Sequence, residues 1–165
     1  MKKEGLNPII NNNTEILILG TMPGDISIKT GEYYANTKNQ FWNIIFKLFN
    51  DEHIEHYYEE KTKLLLRNKI GLWDVLTKAD RLGSSDSNIH KEELNNFVEL
   101  FKNYPNIKTV VFNGKKAMDY FKGIESIPQD KNYYILPSTS SSNTWKTIKQ
   151  KYQEWTELLK PNLAT

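Results

Sequence analysis

The chain has no cysteine. Disulfides, iron–sulfur clusters and thiolate zinc sites are therefore excluded. Histidine is scarce, with only His53, His56 and His90. His53 and His56 stand three residues apart, a spacing that permits a metal pair. No further ligand spacing supports one, and ordinary surface histidines are the plainer reading. No apolar run approaches the ~20 residues of a membrane-spanning helix. The opening MKKEGLNPIINNN lacks the apolar core of a signal peptide, which predicts a cytoplasmic protein. Neither sign of charge dominates: 22 Lys and Arg against 20 Asp and Glu leave a net +2. A polyanionic partner would therefore require basic groups gathered on one face. The glycine patterns GxGxxG and GxxxxGKS/T, which cradle phosphates in nucleotide sites, are both missing, and this argues against a small-molecule α/β domain.

What is present is ordinary for a globular chain: 38% hydrophobic and 25% charged residues. No repeat and no linker rich in Pro, Gly or Ser divides the 165 residues. One domain is expected over 1–165, with its core at about 15–160. Four short apolar runs stand out: EILILG (15–20), IGLWDVL (70–76), IKTVVFNG (107–114) and NYYILPS (132–138). Runs of this length and content suit strands buried on both faces. Helical spacing marks the stretches between them, over 39–49, 57–68, 92–104, 115–123 and 144–160. Gly123 is placed to cap one of these helices, and Trp145, Ile148, Tyr152, Trp155 and Leu159 form the stripe of the last. Alternating strands and helices predict a three-layer α/β/α fold with a central four-stranded parallel sheet. Ligands in such folds bind beyond the carboxyl ends of the strands. Those ends read GTMPGD, DVLTKADRLGSSDSN, NGKK and LPSTSSSN, all rich in small or polar residues, so one shared site is expected there.

Residues 33–42, YYANTKNQFW, set flat rings beside amides. Taken in order, GTMPGD, YYANTKNQFW, GLWDV, GSSDS, VVFNGKKA and LPSTSSS resemble the uracil-DNA glycosylase superfamily, from about residue 15 to 145. Within it the nearest branches are the mismatch-specific uracil and thymine glycosylases and, closer still, the hypoxanthine (deoxyinosine) glycosylases. The resemblance implies a monofunctional DNA repair enzyme that flips a damaged base from double-stranded DNA and hydrolyses its N-glycosidic bond. It implies no metal or cofactor, and a monomer.

The resemblance also implies site residues. Gly20, Thr21 and Met22 correspond to the family's first motif and would face the base. Met22 departs from the Asp or Asn that orients water in many members, since a thioether does neither that nor act as a base. Asn39 matches the asparagine implied as catalytic in the hypoxanthine branch, where it would position water rather than abstract a proton. An Asn at this point is equally a normal helix start. Tyr34 stands where a ring stacks on the flipped base. Asp74 ends the second strand of the sheet and could accept from N1–H of hypoxanthine; adenine N1 is itself an acceptor. Ser84, Ser85, Asn113, Gly114 and Lys115 would contact phosphates. Ser138, Thr139, Ser140 and Ser141 lie in the loop that presses into the duplex. That loop begins with Leu136 where uracil-specific enzymes keep a histidine. Both departures point away from efficient uracil excision and toward hypoxanthine. Two other readings stay open: a uracil or xanthine glycosylase using Asp25 or Asp74, and a nucleic-acid-binding domain without chemistry.

Overall fold

The computed structural model describes residues 2–49, 57–81, 83–124 and 126–163, so His53 and His56 lie outside the described residues. In chain order the elements are β1 (Lys2–Glu4), β2 (Ile16–Gly20), α1 (Asp25–Thr30), α2 (Phe41–Leu48), α3 (Tyr58–Arg67), β3 (Ile70–Asp74), β4 (Leu76–Arg81), β5 (Ile89–Leu94), α4 (Phe97–Asn103), β6 (Thr109–Asn113), α5 (Lys115–Phe121), β7 (Asn132–Leu136) and α6 (Ile148–Leu163). The four apolar runs form one sheet in the order β3-β2-β6-β7. All three pairings are parallel, with Ile18 beside both Leu72 and Val111.

Side chains alternate across a strand, and this sorts the core into two layers. Ile16 and Ile18 join Phe41, Trp42, Ile45, Leu65, Trp155 and Leu159, so α2, α3 and α6 cover one face. Leu17 and Leu19 join Phe97, Phe101, Ala117 and Phe121, so α4 and α5 cover the other. β2 and β6 are buried along their whole length, as their sequences require. β7 is an edge strand and differs: Tyr134 and Ile135 are exposed.

Several expectations from the sequence are corrected. A second, antiparallel sheet, β1-β4-β5, was not foreseen. Residues 92–94 belong to β5, and the helix expected over 92–104 begins at Phe97, where the Asn96 side chain accepts from the Glu99 N–H at 3.1 Å. Gly123 does not cap α5; the cap is Lys122 in right-handed conformation. The last helix begins at Ile148, not 144. A reciprocal pair sets that start: Thr147 Oγ1 accepts from Gln150 N at 3.1 Å, and Gln150 Oε1 accepts from Thr147 N at 2.8 Å. Trp145 and Ile148 therefore leave the stripe and are exposed, while Trp155 and Leu159 are buried.

Trp155 locks α6 to the sheet edge. Its ring meets the Phe41 ring edge-on at 6.0 Å, and its Nε1 donates to the Pro137 carbonyl at 2.9 Å. Trp155→Ala is expected to destabilise the protein by about 3–5 kcal/mol, read by urea unfolding. A loss below about 1 kcal/mol would show that the ring is not a structural anchor.

Candidate active site

The carboxyl ends of all four parallel strands open on one cleft of about 480 Å³. Beyond β2 it is lined by Gly20, Thr21, Met22 and the turn into α1; from β3 and the segment after β4 by Asp74 and Ser84–Ser87; from β6 and α5 by Asn113 and Lys116; and after β7 by Ser138–Ser142. Tyr34, Asn36 and Asn39 line it from the segment before α2.

Asn113 knits these segments together. Its Nδ2 donates to Tyr34 Oη at 3.1 Å and to Thr139 Oγ1 at 2.9 Å, while its Oδ1 accepts from Thr139 N at 2.9 Å. Thr139 in turn accepts at its carbonyl from Gln40 N, 3.0 Å away. Tyr34 has a left-handed backbone, φ 53°. Such a conformation costs a non-glycine residue about 1–2 kcal/mol. The Asn113 bond, stacking on Phe41 at 4.2 Å and the bond from Ala35 N to Ser27 Oγ at 3.1 Å hold it there. Asn39 is half-buried; its Oδ1 accepts from Phe41 N at 2.9 Å, so it does support the start of α2 while lining the cleft.

Asp74 is 4% exposed, and its Oδ2 has no hydrogen-bond partner. Gly20 makes room for it: a Cβ there would lie 2.6 Å from Asp74 Oδ1 and 3.1 Å from Tyr34 Oη. A methyl group cannot fit that space without moving the carboxylate or the ring. A second carboxylate, Asp86, lines the same cleft. It hydrogen-bonds Thr21 and pairs with the wholly buried Arg81 at 3.3 Å. Arg81 also donates to the carbonyls of Pro23 and Gly83, tying the loop after β2 to the loop after β4.

Family membership follows from the whole chain. The model of the uracil DNA glycosylase superfamily matches residues 8–160. The chain belongs to this superfamily. A protein of Methanosarcina barkeri named hypoxanthine DNA glycosylase is 39% identical over 160 residues, covering 97% of this chain and 99% of the relative. One of the same name from Methanosarcina acetivorans is 38% identical, covering 94% and 96%. A solution NMR structure from Methanosarcina acetivorans, described as a candidate uracil DNA glycosylase, superposes with a TM-score of 0.84 at 36% identity, covering 98% of this chain and 99% of that one.

On this glycosylase fold, the residues expected from the sequence divide. Gly20, Thr21, Met22, Tyr34, Asn39, Asp74, Ser84, Ser85, Asn113, Ser138, Thr139, Ser140 and Ser141 all line the cleft. Gly114 and Lys115 do not. Gly114 holds φ 93° beneath Ser138, 3.1 Å from where its Cβ would stand, and its N–H donates to Leu136 at 2.9 Å. It seats the serine loop and has no N–H left for a phosphate. Lys115 Nζ pairs with Asp119 at 3.2 Å, and Lys116 is the lysine on the cleft. Asn113 and Thr139 are buried and serve as braces. Ser84 Oγ accepts from Asp25 N at 2.9 Å, and Ser138 Oγ from Ser140 N at 3.2 Å. Met22 and Leu136 both belong to the core. Arg81 and Asp86 were not foreseen; the only signal was an Arg and an Asp flanking a Gly-Ser turn.

Burial pushes the Asp74 carboxyl up to about 7, nearby Asp86 adds to the rise, and Arg81 opposes it. Burial also raises Asp86, and its bonds to Thr21 and Arg81 pull it back down. The Tyr34 phenol is driven well above its ordinary value, chiefly by burial and then by Asp74. An acid whose folded value is raised above its unfolded value costs stability as pH climbs from the lower to the higher value. The cost starts near the ordinary aspartate value of 3.8 and is complete above about 7. Asp74→Asn is therefore expected to stabilise the protein at pH 8 on the order of 2–4 kcal/mol, with little gain at pH 4. Thermal unfolding of both proteins at the two pH values checks this, and a gain independent of pH would show that Asp74 is not a buried titrating group.

Proposed function

We propose that the protein excises hypoxanthine from DNA. The observation that carries this reading is the unpaired, buried Oδ2 of Asp74 in a cleft that also holds Tyr34 and Asn39. A buried acceptor without a partner is costly, and a ligand that donates to it relieves the cost. Ionised Asp74 accepts from N1–H of hypoxanthine; adenine offers an acceptor at N1 and meets it with repulsion. The names of the Methanosarcina relatives support the same substrate.

In the proposed reaction a nucleotide leaves the duplex and its base rests on Tyr34. Asn39 orients the water. Its amide oxygen has two lone pairs, one already held by Phe41 N, and the other is assigned to water. The water oxygen bonds to C1′ as the C1′–N9 bond breaks, and the proton that the water gives up ends on the departing base. Lys116 and the serines at the rim are assigned to phosphates.

Uracil also presents a lactam N–H, so Asp74 would accept from it as well. Met22 and Leu136 count against uracil, because both are packed into the core and neither orients water nor stabilises a uracil anion. Single-turnover cleavage of labelled duplexes containing inosine, uracil or xanthine, developed with hot alkali, separates these substrates. Inosine is expected to be cleaved fastest. Asn39→Ala is expected to lower that rate by about 100-fold or more while DNA binding is kept. Binding without cleavage of any substrate would reject the reading.

The pH profile gives a second test. Inosine excision is expected to rise as pH passes about 7, because the ionised form of Asp74 is the acceptor. Asp74→Asn should lose that rising limb. A limb that persists in the variant assigns it to another group.

A further inference from the structure

In the proposed reaction a charge develops that Asn39 cannot answer. As the C1′–N9 bond breaks, its electron pair leaves with the base, and positive charge spreads over C1′ and the ring oxygen of the sugar. Asn39 is neutral, and so is Met22. Among the described residues three carboxylates line the cleft: Asp25, Asp74 and Asp86. Asp25 is exposed and paired with Lys3, and Asp74 is assigned to the edge of the base. Asp86 has no role in the reaction as described so far.

Asp86 opens a single tight helical turn, Asp86–Asn88, between β4 and β5. Its surroundings keep it charged. The wholly buried side chain of Arg81 pairs with Asp86 Oδ1 at 3.3 Å, Thr21 hydrogen-bonds the carboxylate, and the charge of Lys116 reaches it. Each of these favours the ionised form and opposes the effect of burial. The side chain is nonetheless 40% exposed and lines the cleft. Its charge acts on both Asp74 and Tyr34, the residues assigned to the base.

The wall of the cleft is graded in depth. Asp74 is buried, Asp86 is half-buried, and Ser84, Ser85 and Lys116 are exposed. A flipped nucleotide enters in the same order: base, then sugar, then phosphate. With the base at Asp74 and a phosphate at Lys116, the sugar falls level with Asp86.

We propose that Asp86 faces the sugar of the flipped nucleotide and stabilises the cation that forms there. This deepens the glycosylase reading and rests on it. The carboxylate moves no proton. It acts through its charge, which counts for more in a partly buried site than in water. The same charge repels the phosphate backbone, so removing it is expected to separate rate from affinity.

The test uses the full chain. In single-turnover excision from an inosine duplex, Asp86→Asn is expected to be slower by about 100-fold or more, and Asp86→Glu, which keeps the charge, by much less. Affinity for a duplex with a neutral tetrahydrofuran site should be unchanged or tighter in Asp86→Asn. A duplex with a protonated pyrrolidine at the same place mimics the sugar cation. The wild type should bind it about tenfold or more tighter than the neutral duplex. Asp86→Asn should lose most of this preference, and Asp74→Asn should keep most of it. Two of these proteins retain Asp86, so the preference is decisive even where Asp86→Asn does not fold. No preference in the wild type, a preference lost in Asp74→Asn, or wild-type excision by Asp86→Asn would overturn the proposal. Inosine excision by the wild type is measured alongside. Excision without a preference for the cation overturns the role of Asp86 alone; a preference without excision of any base overturns the glycosylase reading.

Discussion

The cleft depends on the Asn113 amide. It stands at the carboxyl end of a central, wholly buried strand, so the sheet fixes its position. From there one side chain reaches the tyrosine segment and the serine loop together, spending both Nδ2 protons and its Oδ1. These two segments lie over a hundred residues of chain apart and have little regular structure of their own. Without the amide, only stacking on Phe41 and the Ala35–Ser27 bond would hold Tyr34 in its left-handed backbone. Gly114, immediately after, leaves the space in which Ser138 sits. Sheet, ring and loop are thus set by two adjacent residues. Such bracing matters for hydrolysis of a glycosidic bond, where a misplacement of about 1 Å costs orders of magnitude in rate.

Against this well-satisfied frame, Asp74 is left incomplete. The fold supplies acceptors and donors for nearly every buried polar group around the cleft, yet one carboxylate oxygen has none. Gly20 is shaped to leave it room, and Arg81 lies near enough to moderate its charge without bonding it. Stability alone would favour an amide or an apolar residue at this place. In the proposed reaction a carboxyl kept there at a cost is explained by the ligand it would read, the N1–H that hypoxanthine has and adenine lacks.

The parallel sheet was legible because its strands are buried on both faces and read as unbroken apolar runs. The antiparallel sheet was not. β4 (LTKADR) and β5 (IHKEEL) have one face on the core, through residues such as Leu76, Ala79 and Ile89, and their charges mask it. The sequence EEL also continues smoothly into a true helix, and only the Asn96 cap divides them. The start of α6 was misplaced for a similar reason: Trp145 sits at helical spacing, but Thr147 and Gln150 cap the helix after it, a signal present in the sequence. Of the site, Tyr34, Asn39 and Asp74 were legible from the family resemblance, and the structure brings them to one cleft. Arg81 and Asp86 were not, since a buried ion pair between loops has no periodicity to betray it.

Met22 and Leu136 bear on the same question from the other side. The family resemblance implies an Asp or Asn at the first position in many members and a histidine at the second in uracil-specific enzymes; here both side chains are mostly buried. A histidine at Leu136, which does not line the cleft, would bury a polar group among apolar neighbours, at a cost of several kcal/mol unless a partner were added, whereas Met22 lies between the core and the cleft. In the proposed reaction the polar work falls instead on Asn39 and Asp74, which line the cleft with the ring that the Asn113 amide holds in place. A purine can accept a proton on its imidazole ring, so it does not require the histidine that a departing pyrimidine anion needs. The absence of two polar groups and the proposed purine substrate are therefore consistent with one site.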